Sequence, residues 1–148
     1  MASAATTQDL EVRRSLDATP ERVFAAWTQA QALASWFAPS ERMTTLVHAL
    51  DARLGGEYRI EMREPNGTPH IVSGTYTAFD APRYLAFTWQ WEKGDGEQTL
   101  VEVELQPSPA GTELLLRHSR HASIKSRDGH AAGWEGCLTR LTTHFTPT

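Results

Sequence analysis

The chain has 148 residues, of which 40% are apolar and 22% charged, a composition typical of an ordinary globular domain with one sizeable core. Fourteen Lys and Arg against 18 Asp and Glu leave a formal charge of -4. No basic cluster is present, which argues against nucleic-acid binding. The single cysteine, Cys137, excludes an internal disulfide.

The first residues predict neither export nor membrane insertion. They lack the basic and apolar regions of a signal peptide, and no stretch approaches the roughly 20 apolar residues of a spanning helix. We therefore expect a cytoplasmic protein that does not bind membranes. Residues 1–8 are small and polar, so we expect a flexible N-terminus ahead of a single domain over residues 9–148.

The chain opens with a strand and two short helices. Apolar and polar residues alternate over 10–16, which is the period of a half-buried strand. Thr19 is a suitable N-cap and Pro20 suits the first helical position, so a short helix follows. A second short helix ends before Pro39. The apolar positions that define these helices are Val23, Phe24 and Trp27, then Leu33, Trp36 and Phe37.

Six further strands follow, separated by turns that contain Gly, Pro, Asn or Asp. Alternation along each segment predicts antiparallel hairpins that share one apolar, aromatic face. The predicted strands are 44–52, 57–64, 70–79, 83–92, 98–106 and 112–119.

The last element changes to a helical period. Asp128 is a favoured N-cap residue, and an apolar stripe of four or five turns follows it. A sheet with one apolar face and a helix with one apolar stripe must cover each other, so the chain is predicted to be an α+β domain. The stripe consists of Trp134, Cys137, Leu138, Leu141 and Phe145.

Five fragments in this order carry a resemblance to a known family. Residues 10–146 resemble the START-like (SRPBCC) superfamily, and within it the branch related to the C-terminal domain of the heat-shock protein ATPase activator. The resemblance implies a helix-grip fold, in which a seven-stranded curved antiparallel sheet wraps around a long C-terminal helix, with two short helices after the first strand. The fragments are 19–27, 36–39, 55–59, 74–89 and 111–134.

The resemblance also implies a function. Similar proteins hold apolar molecules between sheet and helix, so we expect this chain to bind a lipid, a polyketide or an aromatic metabolite without a cofactor and without evident catalysis. Two alternatives stay open: a cyclase- or hydrolase-like enzyme that uses the same cavity, and a co-chaperone or stress-response module whose partner is a heat-shock chaperone. Either a monomer or a homodimer is expected.

The candidate ligand-binding residues project inward from the predicted sheet and helix. The aromatic residues among them could equally be plain core. Arg14 could form a salt bridge instead, and His118 could be a hydrogen-bonded core histidine. The set is Arg14, Trp36, Phe37, Tyr58, Met62, Gly74, Tyr76, Phe87, Trp89, His118, Trp134, Cys137 and Leu138.

Three glycines accompany this set at the interface between sheet and helix. Gly74 lies inside a strand, while Gly133 and Gly136 lie inside the last helix, where each costs roughly 1 kcal/mol relative to Ala. Each is therefore expected to allow either a close backbone approach or room for a ligand.

Metal binding and catalysis are not predicted. In a continuous strand His118 and His121 would face opposite sides, and Cys137 with the remaining histidines lacks the spacing of a metal site. No Gly-x-Ser-x-Gly elbow is present, and Cys137 lies on the apolar stripe. An enzyme would need His118, Arg14, Tyr76 or Asp51 to converge. Asp51 is expected to lie at a strand end instead.

Overall fold

A computed structural model describes residues 9–146; the predicted flexible segment 1–8 lies outside them. Seven strands and three helices follow one another in the predicted order. They are β1 (Leu10–Leu16), α1 (Pro20–Thr28), α2 (Ala30–Trp36), β2 (Thr44–Leu50), β3 (Glu57–Arg63), β4 (Pro69–Asp80), β5 (Tyr84–Trp91), β6 (Thr99–Ser108), β7 (Gly111–Ser119) and α3 (Ile124–Phe145).

All seven strands form one antiparallel sheet in the order β1-β7-β6-β5-β4-β3-β2. Hairpins connect β2 through β7, and β1 pairs with β7 at one edge. The apolar face of the sheet is buried together with the apolar stripe of α3. The α+β helix-grip prediction is therefore confirmed. Among the described residues, none of the helices is long and apolar enough to cross a membrane.

The first helix forms for the predicted reason, but the last begins earlier than expected. Thr19 caps α1 by accepting a hydrogen bond from the backbone N–H of Arg22. The N-cap of α3 is Ser123, whose Oγ lies 3.0 Å from the backbone nitrogen of Ser126, so the prediction that Asp128 caps this helix is wrong. The first turn buries no apolar residue, and periodicity therefore gave no signal for it.

The inward glycines serve two different purposes. A Cβ on Gly74 would lie 1.9 Å from the carbonyl oxygen of Thr88, and one on Gly136 would lie 2.2 Å from the carbonyl oxygen of Pro39. A Cβ on Gly133 would meet nothing within 4 Å. Gly74 and Gly136 therefore permit close backbone contacts, whereas Gly133 borders open space.

The contrast between the two α3 glycines predicts opposite effects of the same substitution. Gly136→Ala should lower the free energy of unfolding by about 1–3 kcal/mol, because the new methyl group overlaps a backbone carbonyl that cannot easily shift. Gly133→Ala should raise it by up to about 1 kcal/mol through helix propensity. Urea denaturation of both variants measures the difference. Equal stability of Gly136→Ala and the wild type would contradict the close packing of α3 on the Pro39 segment.

Candidate functional site

The interior between sheet and helices is filled at the end covered by α1 and α2. Phe87 lies with its ring centroid 5.5 Å from that of Tyr58 and 5.9 Å from that of Tyr76, both edge-on. The space left beside these rings, Trp27 and Phe37 is about 10 Å³, close to the minimum for a single water. This part of the predicted cavity is therefore packed core.

Two polar groups of this packed end are hydrogen-bonded within the protein. Trp36 donates its indole N–H to the carbonyl oxygen of Ala26 at 3.0 Å, and Tyr58 donates its hydroxyl to the carbonyl oxygen of Thr88 at 2.6 Å. Burial raises the pKa of Tyr76 to about 12. Trp36, Phe37, Tyr58, Tyr76 and Phe87 therefore act as core here.

The opposite end of the interior leaves a chamber of about 80 Å³ beside α3. Four of its residues belong to the predicted set: Met62, Trp89, Trp134 and Cys137. Gly133 lines it too, which explains the open space beside that glycine. The complete lining is Pro39, Met62, Trp89, Trp91, Gly129, His130, Gly133, Trp134 and Cys137.

A wider cleft of about 650 Å³ adjoins this chamber and shares Pro39, Met62 and Trp91 with it. Its remaining lining combines the polar residues Ser40, Arg42, Glu64, Asn66 and His70 with Met43 and Pro65. The cleft has the volume typical of a small-molecule site. Chamber and cleft together give an apolar inner end and an outer end that offers both apolar and polar contacts.

The chamber wall carries a hydrogen-bond donor that lacks an acceptor. The indole nitrogen of Trp89 is buried and has no hydrogen-bond partner among the residues the structure describes. Trp27 has a similar buried indole nitrogen, but it lies in the packed end. A buried donor without an acceptor is costly, so an acceptor on a bound molecule would relieve this cost at Trp89.

Three histidines meet behind the chamber, where the sequence predicted that two of them would diverge. Strand β7 ends at Ser119, and Arg120 has φ +70°, which turns the chain so that His121 returns to the interior. The rings of His118, His121 and His130 have centroids 4.4, 4.6 and 5.0 Å apart. The prediction that His118 and His121 face opposite sides is therefore wrong.

His118 is held from both sides. The indole N–H of Trp134 donates to its Nδ1 at 3.0 Å, and its Nε2 lies 2.6 Å from Oγ1 of Thr99. Burial, together with His130 and His121 close by, lowers the pKa of His118 to about 2. The imidazole is therefore neutral and carries its proton on Nε2. It lies behind Trp134 and is not part of the chamber lining.

His130, on α3, also has a hydrogen-bond partner at each ring nitrogen. Its Nδ1 lies 2.9 Å from the carbonyl oxygen of Ser126, and its Nε2 accepts the indole N–H of Trp91 at 3.0 Å. Burial lowers the pKa of His130 as well. The Trp91 ring, which separates the chamber from the cleft, is thus fixed by a hydrogen bond to the helix.

The remaining predicted site residues lie away from the chamber or have lost their reactivity. Arg14 forms an ion pair with Glu135 at 2.6 Å. Gly74 serves close packing and Leu138 is fully buried. Burial raises the pKa of Cys137 to about 12, so its thiol stays protonated.

The four residues considered for catalysis do not share a site. Asp51 lies between β2 and β3 and forms an ion pair with Arg53 at 3.0 Å. Tyr76 is in the packed end, and His118 is enclosed by Trp134 and Thr99.

The predicted set lacks several chamber residues, for different reasons. Trp91 lies two residues after Trp89 on the same face of β5, so the alternation that predicts an inward Trp89 predicts an inward Trp91 as well. His130 lies one turn before Trp134, in phase with the apolar stripe of the predicted helix, but as a polar residue it was not counted in that stripe. Pro39 and Gly129 carry no sequence signal for a pocket.

Comparison with known proteins gives the same fold and a family. A protein from Chromobacterium violaceum is 25% identical with a TM-score of 0.87, covering 95% of this chain and 99% of its own. An AHSA1 protein from Silicibacter pomeroyi is 27% identical with a TM-score of 0.82, covering 92% and 96%. No curated protein matches the chain.

The family described as activator of Hsp90 ATPase homolog 1-like protein (AHSA1) matches residues 17–146. This match spans most of the chain and agrees with the resemblance seen in the five sequence fragments. The protein therefore belongs to the AHSA1 family of START-like proteins.

Proposed function

We propose that this protein binds a small apolar molecule, with an aromatic or alkyl end in the chamber and a more polar end in the cleft. The observation that carries this proposal is the chamber itself, an aromatic space left open at one end of an interior that is otherwise filled. Proteins of this family typically bind hydrophobic ligands, which supports the same function.

The volumes limit how such a ligand can lie. A cavity of about 150 Å³ accommodates benzene, whereas the chamber has about 80 Å³. A ligand therefore inserts only its end, or displaces Met62, whose side chain is flexible enough to move. The remainder of the molecule occupies the cleft, where Arg42, Asn66 and His70 offer polar contacts.

The unpaired indole N–H of Trp89 favours a ligand that carries a hydrogen-bond acceptor close to its apolar end. A ketone, aldehyde, ether or phenolic oxygen would satisfy this donor. Specificity in a predominantly apolar pocket comes from a few such polar contacts. Oxygenated aromatic compounds thus fit the site better than plain hydrocarbons.

Binding fits this geometry better than catalysis does. A cyclase or hydrolase would need an available general base, but His118 is enclosed by Trp134 and Thr99, while Arg14 is paired with Glu135. A heat-shock chaperone as partner, a role in stress response and a cytoplasmic location stay predictions.

Filling the chamber from α3 should weaken ligand binding without unfolding the protein. Gly133→Leu places a side chain in the open space beside this glycine, so the fluorescent probe N-phenyl-1-naphthylamine should bind at least about 10-fold more weakly. The matched control is Ala132→Leu, since Ala132 is exposed on the same helix. A fluorescence titration measures both. Unchanged affinity in Gly133→Leu would place the binding site elsewhere.

The unpaired indole N–H of Trp89 predicts that the protein distinguishes ligands of similar shape by whether they carry a hydrogen-bond acceptor. Trp89→Phe should lower the affinity for 2-acetylnaphthalene by about 5-fold, because the variant loses one hydrogen bond that contributes a net of about 1 kcal/mol. The affinity for the hydrocarbon 2-isopropylnaphthalene should fall much less, because this compound has no hydrogen-bond acceptor. Calorimetric titration of both compounds against both proteins gives the four affinities. Equal losses for the two compounds would contradict a role for this N–H.

A further inference from the structure

We propose that His118, His121 and His130 form a binding site for a divalent transition-metal ion, for which zinc is the probe. Each histidine offers one ligand nitrogen, and these nitrogens lie within 4.8 Å of one another. The three residues come from β7, from the turn after it and from α3, so only the folded chain brings them together. Imidazole nitrogen is a preferred ligand of zinc, copper and nickel.

Metal binding requires a small contraction of this cluster. Zinc–nitrogen bonds of about 2.0–2.1 Å place tetrahedral ligands roughly 3.3 Å apart, so the ligand nitrogens must approach one another by at most about 1.5 Å. His121 lies between the end of β7 and the start of α3, outside the hydrogen-bonded ladder. A backbone adjustment there can move its ring without disturbing the sheet.

The hydrogen bonds around two of the histidines already match those of metal ligands. Metal-bound histidines usually donate their second ring N–H to a protein acceptor, which fixes the ring. His118 has Thr99 in this position at 2.6 Å, and His130 has the carbonyl oxygen of Ser126 at 2.9 Å. Each ring therefore keeps one nitrogen lone pair for a metal ion.

Those two lone pairs accept hydrogen bonds from tryptophans. Trp134 donates its indole N–H to His118, and Trp91 donates its own to His130. A metal ion would replace both indole donors at these nitrogens. Binding should therefore change the environment of Trp91 and Trp134, two residues of the chamber wall.

A negative charge and an entry route lie on the same side. The carboxylate of Glu97 accepts hydrogen bonds from the backbone N–H of Ala122 at 2.6 Å and from the hydroxyl of Ser126 at 2.7 Å. An open groove of about 830 Å³ reaches His130 from outside, and its charged lining consists of Asp95 and Glu97 together with Lys93 and Lys125. The carboxylate of Glu97, which bonds the turn that carries His121 and the first turn of α3, would compensate part of the charge of a bound cation.

Calorimetric titration of chelator-treated protein with zinc chloride tests the site. The wild type should bind one equivalent, and the cobalt(II) form should show the visible absorption of a four-coordinate ion. His130→Asn should weaken zinc binding by about 100-fold or more. Removing a residue that only hydrogen-bonds to a metal ligand already lowers metal affinity by about 10- to 100-fold, and removing a ligand itself lowers it at least as much. The matched control is His144→Asn, an exposed histidine on the same helix, which should bind zinc like the wild type.

Three results would overturn the metal site: no stoichiometric zinc binding by the wild type, equal affinity in His130→Asn, or an equal loss in His144→Asn. Because His118 is fully buried and its replacement endangers folding, His121→Asn serves as the second ligand variant and should also lose zinc. None of these measurements depends on an apolar ligand, so the metal site can fail while the proposed binding function stands.

Discussion

The fit of helix α3 against the aromatic face of the sheet is the constraint on which the rest of the structure depends. Gly136 brings this helix to within direct contact of the Pro39 backbone, and its apolar stripe then covers the sheet. The contact of the helix is not equally tight along its length. At Gly133, one turn from Gly136, the interior opens into the chamber.

The open end is kept in shape by hydrogen bonds between tryptophans and histidines. Trp134 is anchored to His118, and Trp91 is anchored to His130. Large aromatic rings would otherwise collapse into free space, since dispersion contacts favour dense packing. Neutral histidine acceptors hold these two rings as walls, so the indole N–H groups of Trp91 and Trp134 are engaged within the protein, whereas that of Trp89 is not.

The sequence predicted most of the fold because period and turn chemistry are local signals. Alternation in β5 and β6 and the cap at Thr19 gave element types and bounds to within two residues. The start of α3 was missed because its first turn buries nothing apolar. The left-handed conformation of Arg120 concealed the meeting of His118, His121 and His130, which depends on contacts far apart in the chain.

The site was predictable only in part, for a similar reason. An inward aromatic residue is visible in a sequence, but whether it fills space or borders it depends on its neighbours across the sheet. Tyr76 and Phe87 are packed by Tyr58, whereas Trp89 faces a helix that carries a glycine. Each of the five tryptophans has one indole N–H, whose NMR signal reports whether that residue lies in the packed end or in the chamber wall. In a ¹H–¹⁵N NMR titration with 2-acetylnaphthalene, Trp89, Trp91 and Trp134 should shift saturably while Trp27 and Trp36 stay in place; shifts at Trp27 and Trp36 alone, or no saturable shift at all, would contradict a binding chamber beside α3.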